Sequence, residues 1–130
     1  MNIEQLRTYC ISKKATTEEF PFDNDTLVFK VLGKMFAMVP LDRWERGKEI
    51  AIFKLDPEWT IELRESYDGV IGGFQQGRKP DARYVRTKHW NTVEMNKDVS
   101  DTFLEEIIDH SYDLVVSGFT KKMKAEFDAL

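Results

Sequence analysis

The clearest pattern in this chain is a helical stripe near its end. Phe103, Leu104, Ile107, Ile108, Ser111, Leu114 and Val115 recur at three- and four-residue spacing, so they share one face of a long helix. Asp98 or Ser100 stands where its cap belongs, and Gly118 where it ends. Thr120 can cap a short basic tail helix. At the start, Ile3, Leu6 and Cys10 repeat at helical spacing behind an Asn2-to-Gln5 capping pair, which predicts a first helix over 3–13. A third helix signal opens at Asp56-Pro57, with Asp as cap and Pro at the first helical position. It carries Trp59, Ile61 and Leu63 and stops near Asp68-Gly69.

Between the helices the pattern changes to β-branched and aromatic runs. Thr26 to Val31 and Lys34 to Leu41 read as a hairpin, with Leu32-Gly33 as its turn. Glu49 to Leu55 reads as a third strand, with Ile50, Ile52 and Lys54 on one side, and His89 to Met95 as another. Ala15 to Asp25 reads as a loop in which Asp23, Asn24 and Asp25 form turns and Phe20 and Phe22 pack over the sheet edge. Val70 to Lys88 reads as a long loop that turns extended near Tyr84 to Arg86. The resulting order, α-β-β-β-α-β(β)-α, groups strands between helices rather than alternating with them. That favours an α+β fold, an antiparallel β-sheet packed with helices, in one domain over 1–130.

Composition narrows the class. At 130 residues, with 42% hydrophobic and 32% charged residues, the chain can bury one sizeable core. Its longest uncharged apolar stretch, Met35 to Leu41, is far below the roughly 18 residues needed to span a bilayer. The opening MNIEQLRTYC lacks a basic segment followed by an apolar one, so it does not read as a signal peptide. A single cysteine, Cys10, on the apolar stripe of the first helix, reads as buried and inert, and a reducing cytoplasm is the expected location. A net charge of −4 argues against a protein that coats nucleic acid indiscriminately, yet the charges are unevenly placed.

From Gln75 to Trp90, the cations Arg78, Lys79, Arg83, Arg86 and Lys88 face Asp81 alone, a local charge of +4. A second loop, Asp42 to Lys48, holds Arg43, Arg46 and Lys48 beside Trp44, with Asp42, Glu45 and Glu49 largely cancelling it. Cationic loops that also carry Trp44, Phe74 and Tyr84 have the composition for phosphate contact and base stacking. Charge placed there for solubility explains the same residues and outweighs the nucleic-acid reading on composition alone. His89, beside Trp90, is a candidate ligand-facing group. Strand alternation sends the two side chains to opposite faces, so they form no joint site.

Ser111 and Tyr112 invite a catalytic reading, with His110 adjacent. Helical neighbours point about 100° apart, however, so packing roles are favoured: Ser111 bonding back to the preceding turn and Tyr112 with its hydroxyl at the surface. Phosphate-loop, dinucleotide and nucleophile-elbow motifs are absent. The residues point to no enzyme, cofactor or metal.

Several blocks together resemble the MmcQ/YjbR-like family: Ile3, Leu6, Arg7 and Tyr9-Cys10; Phe20-Pro21-Phe22; Leu27 to Ala37; Pro57 to Tyr67 with Gly69-Val70; Lys88 to Val93; and Ser111 to Val115 with Lys121-Lys122. They span nearly the whole chain in order. The resemblance implies a CyaY/frataxin-like fold and a DNA-binding role proposed for the family, with two protruding wings as contact elements. Residues 72–78 look like an insertion relative to that family. Frataxin-type folds also raise iron, but the first helix offers Glu4 against Arg7, Lys13 and Lys14, the wrong sign for a cation site. Glu105, Asp109 and Asp113 read as a solvated face.

Two partner readings stay open, the first leading and the second its alternative. One is DNA, contacted through Arg43, Arg46, Lys48, Arg78, Lys79, Arg83, Arg86 and Lys88. The other is a protein or small metabolite held in a pocket beside the 72–84 insertion. A monomer is expected, and a membrane is not expected as a partner.

Overall fold

The computed structural model describes residues 1–72 and 89–130. Helix α1 (Ile3–Ile11) opens with the expected capping box: Asn2 Oδ1 accepts from the Gln5 amide at 2.8 Å, and Gln5 Oε1 accepts from the Asn2 amide at 2.9 Å. It stops two residues before the expected end. Ala15 adopts φ 59°, which turns the chain into an edge strand, β1 (Thr16–Glu19). This segment reads as a loop because its residues, Thr-Thr-Glu-Glu, carry no apolar alternation. Pairing with β2 makes it a strand, as Thr16 to Glu19 lie opposite Val31 to Val28. Phe20 and Phe22, expected to pack over the sheet edge, are instead 49% and 64% exposed. The turn chemistry beside them holds: Asp23 Oδ1 accepts from the Asp25 and Thr26 amides.

Strands β2 (Thr26–Val31) and β3 (Lys34–Pro40) form the expected hairpin. Leu32 and Gly33 both take positive φ, 46° and 80°, as a two-residue hairpin turn of matching twist requires. Residues 42–48, expected as a loop, contain the single-turn helix α2 (Leu41–Glu45). Next come β4 (Ile50–Lys54) and α3 (Pro57–Ser66), whose cap Asp56 accepts from the Glu58 amide at 2.9 Å. The buried residues of α3 are Thr60 and Leu63, while Ile61 is 60% exposed. The 59, 61, 63 spacing has period two and cannot lie on one helical face.

A short strand, β5 (Val70–Gly72), occupies the start of the segment expected to be a loop. It pairs with β6 (Trp90–Glu94). Helix α4 (Asp101–Ser117) is capped by Ser100, which accepts from the Phe103 amide, and it ends at Gly118. Thr120 caps α5 (Lys121–Asp128). Among the described residues all strand pairs are antiparallel, in the order β1-β2-β3-β4-β6-β5.

The helices cover one face of this sheet. Helix α4 crosses β2, β3 and β4, α1 packs beside β1, and α3 beside β5. Between them lie the fully buried Leu6, Phe29, Phe36, Phe53, Leu55, Val93, Ile107 and Ile108. A smaller apolar cluster, Val28, Met38 and Ile52 with Met35 and Trp90 against it, lies on the other face. So Trp90 belongs to this outward cluster rather than to the main core.

Ser111 makes a different bond from the one expected. Its hydroxyl donates to the Phe36 carbonyl at 2.6 Å and accepts from the Lys54 amide at 3.1 Å, with no bond back to its own helix. The β3–β4 ladder ends at Ala37 opposite Phe53. Phe36 and Lys54 would be the next pair, and the hydroxyl fills the gap where the strands part. Tyr112 is packed as expected, and its hydroxyl donates to the Lys14 carbonyl at 2.6 Å. Asp109, expected on a solvated face, accepts from the Tyr9 hydroxyl and pairs with Lys13, tying α1 to α4.

Candidate functional site

The turn between α2 and β4 carries three candidate cations. Arg43 lies on α2, Arg46 caps its end, and Lys48 follows Gly47, whose φ of 81° reverses the chain. Trp44 anchors this turn. Its indole N–H donates to the Ile50 carbonyl at 2.8 Å and its half-buried ring packs against the core, a structural role beside the stacking one expected of it. Arg46 is 72% exposed and sits 3.3 Å from Asp42.

Arg43 and Lys48 line a hollow of about 400 Å³ on the face of the sheet opposite the described helices α1, α3 and α4. Glu49 and Glu94 bring opposite charge to it, and Ile50, Ile71, Thr92 and Met95 complete the lining. Pairing explains the grouping, because Ile50 lies opposite Glu94, and Thr92 opposite Ile71, on neighbouring strands. Thr92, Glu94 and Ile71 were not among the expected site residues. The signal for the first two was available, since period-two alternation along β6 sends both to one face. Ile71 required knowledge that β5 exists. Glu94 is also 3.2 Å from Lys97, so its charge is partly answered.

Of the other expected site residues, Phe74, Arg78, Lys79, Arg83, Tyr84, Arg86 and Lys88 lie outside the described residues. His89 is exposed, and the atom it contributes to the fold is its carbonyl oxygen. That oxygen accepts from the Leu55 amide at 2.6 Å and from Asn91 Nδ2 at 3.2 Å. His110 is structural. Its Nε2 accepts from the Asp56 amide at 3.0 Å, and its ring lies 4.4 Å from that of Trp59. Burial lowers its pKa, opposed by Asp56 and Asp113. Cys10 is fully buried, which pushes its thiol pKa up to about 12. Among the described residues, no three His, Cys, Asp or Glu side chains group as metal ligands, and no helix is long and apolar enough to cross a membrane.

These features define a class: an α+β protein in which a six-stranded antiparallel sheet has one helix-covered face and one face bearing a charged hollow. The chain belongs to the YjbR family, whose model matches residues 11–114. It is 28% identical over 103 residues to the uncharacterized protein YbdF of Escherichia coli O157:H7, covering 79% of this chain and 75% of that one. The uncharacterized protein YjbR of Escherichia coli (strain K12) is 26% identical over 117 residues, with 90% and 89% covered. The crystal structure of Deinococcus radiodurans protein DR2400, a domain of the DUF419 model, superposes with a TM-score of 0.79 at 32% identity, covering 98% of this chain and 88% of that one.

Proposed function

We propose that this protein is a non-enzymatic, monomeric binding module that holds a small anionic metabolite in the hollow beside β5. The observation that carries this reading is the placement of Arg43 and Lys48 in the lining of a concave space of about 400 Å³, together with Ile50 and Ile71. A volume of that order suits a compact ligand, and a lining in which Arg43, Lys48, Glu49, Glu94 and Thr92 outnumber the apolar Ile50, Ile71 and Met95 suits a polar one. Glu49 and Glu94 add acceptors, which favours a ligand that bears an amine or hydroxyl besides its anionic group. The test is a thermal-shift screen of small anionic metabolites against the wild-type chain and against Arg43→Ala with Lys48→Ala. A stabilising ligand whose effect disappears in the double variant supports the reading. Stabilisation that is equal in both overturns it.

DNA binding is the second reading, and the exposure of Arg46 on the same turn as Arg43 and Lys48 favours it. Exposed arginine–carboxylate pairs such as Arg46 with Asp42 are weak, so a phosphate can compete for the guanidinium. With about four phosphates engaged, log K should fall against log salt with a slope of about −3 to −4. Replacing Arg78, Lys79, Arg83 and Arg86 with Ala should flatten that slope. Duplex binding left unchanged by the four replacements removes this reading. Loss of binding through Phe74 or Tyr84 with little salt dependence would return the argument to the small ligand.

A further inference from the structure

On the helix-covered side of the sheet, at the edge formed by β5, the side chain of Arg64 is held in a way that no ion pair explains. Its Nε donates to Asn91 Oδ1 at 2.9 Å. Asn91 is fully buried, and its own amide group donates to Thr60 Oγ1 at 3.0 Å and to the His89 carbonyl at 3.2 Å. Those two bonds leave Asn91 one orientation, with its oxygen toward the arginine. Thr60 is 2% exposed and sits one helical turn before Arg64 on α3. The guanidinium then lies over Gly72: a Cβ added there would stand 2.7 Å from Cζ and 2.9 Å from each Nη. Glycine therefore makes the seat, and the buried Thr60–Asn91 pair fixes the angle.

Among the described residues, no carboxylate lies within ion-pair distance of this guanidinium, whereas Arg7 meets Glu18 and Arg46 meets Asp42. Setting a cation over backbone, against a neutral partner, lowers its solvation without the return a carboxylate would give. Burial accordingly lowers the Arg64 pKa. Arg64 is exposed, and among the described residues its guanidinium is hydrogen-bonded through Nε. A planar fork with its orientation fixed by neighbouring hydrogen bonds is the arrangement that recognises a carboxylate or phosphate through two parallel bonds.

We propose that Arg64, positioned by Asn91 and Thr60 and seated on Gly72, is an oxyanion-binding residue that takes a phosphate or carboxylate group at the β5 edge. This niche is distinct from the charged hollow, since Gly72 and Asn91 share the helix-covered face while Ile71 and Thr92 point the other way. It stands whether or not the hollow binds anything.

The test is a titration of the whole chain with inorganic phosphate in one arm and succinate in the other, followed by the backbone amide signals of Gly72, His89 and Asn91 in nuclear magnetic resonance. Saturable shifts in either arm are expected, and the stronger arm identifies the group. Arg64→Gln should abolish them, and Arg64→Lys, which keeps the charge but loses the fork, should weaken them by about tenfold. Gly72→Ala displaces the guanidinium without removing it and should weaken them as well, which keeps the test decisive should Arg64→Gln fold poorly. Shifts that survive in Arg64→Gln but vanish in Arg43→Ala with Lys48→Ala would place the anion in the hollow and overturn the proposal. Absence of shifts in both arms, or shifts of undiminished affinity in Arg64→Lys and Gly72→Ala, would overturn the proposal.

Discussion

The two edges of the sheet are built alike and finished differently. At each edge, a helix lays an arginine across the last strand. On the β1 side, Arg7 of α1 reaches Glu18, with Nε 2.6 Å from Oε2 and an Nη group on the other carboxylate oxygen. On the β5 side, Arg64 of α3 reaches Asn91, and among the described residues Nε alone is engaged. Their titration behaviour separates accordingly. The hydrogen bond to Glu18 and its charge raise the Arg7 pKa, whereas burial lowers that of Arg64. An arginine closed by a carboxylate fastens an edge. One held by a buried amide keeps its hydrogen-bonding face for something else.

The largest expected effect comes from removing the amide that makes the β5 edge distinct. Asn91→Leu keeps the volume but leaves Thr60 Oγ1 without its donor and Arg64 Nε without its acceptor, a cost of about 2 kcal/mol. Urea unfolding should show it as a lower midpoint at unchanged slope. A variant as stable as wild type would mean that the amide does not hold the arginine.

Acid should act next, and on the same edge. The start of α3 is fastened to α4 through His110 Nε2, which accepts from the Asp56 amide and so must be unprotonated. Burial sets the His110 pKa below the ordinary value of about 6.5. The folded chain thus binds this proton less readily than the unfolded chain. The contribution is complete above about 6.5 and is lost as pH falls through the folded-state value. His110→Gln, which retains an acceptor at similar reach, should lose less stability between about pH 7 and pH 5.5 than the wild type. Parallel curves for the two would exclude His110 as the acid-sensitive fastening.

The smallest effect belongs to the closed edge. Arg7 and Glu18 meet at the surface, where an exposed pair contributes little and salt screens what remains. Glu18→Gln should shift the melting temperature slightly at low salt and not at all at high salt. Because the Arg7 hydrogen bond lowers the Glu18 pKa, its share is present above the ordinary carboxylate range and disappears in acid. A large, salt-independent loss would show that this edge depends on the pair after all.

Local chemistry written in adjacent residues was legible without coordinates. The Asn2 and Asp56 caps, the Leu32-Gly33 turn and the long stripe of α4 each depend on residues within a few positions of one another. What was not legible depends on partners far along the chain. β1 and β5 are strands only because β2 and β6 lie beside them, and neither has an apolar pattern long enough to announce itself. Trp44 looked like a stacking residue from its cationic neighbours, and the bond from its indole to the Ile50 carbonyl across the turn was not legible. Ser111 could be placed on its stripe, while its partners, Phe36 and Lys54, are set by how far the β3–β4 ladder extends. Arg64 was invisible for the same reason. Nothing in its helix marks it, and its amide partner lies 27 residues away.

The contrast between the edges is measured most directly on the two arginine side chains themselves. In one nitrogen-detected titration with phosphate, the Nε–Hε signal of Arg64 should move saturably while that of Arg7, already bonded to a carboxylate, stays in place. Equal movement of both signals, or movement of Arg7 alone, would overturn the claim that, of these two arginines, Arg64 is the one that takes an anion.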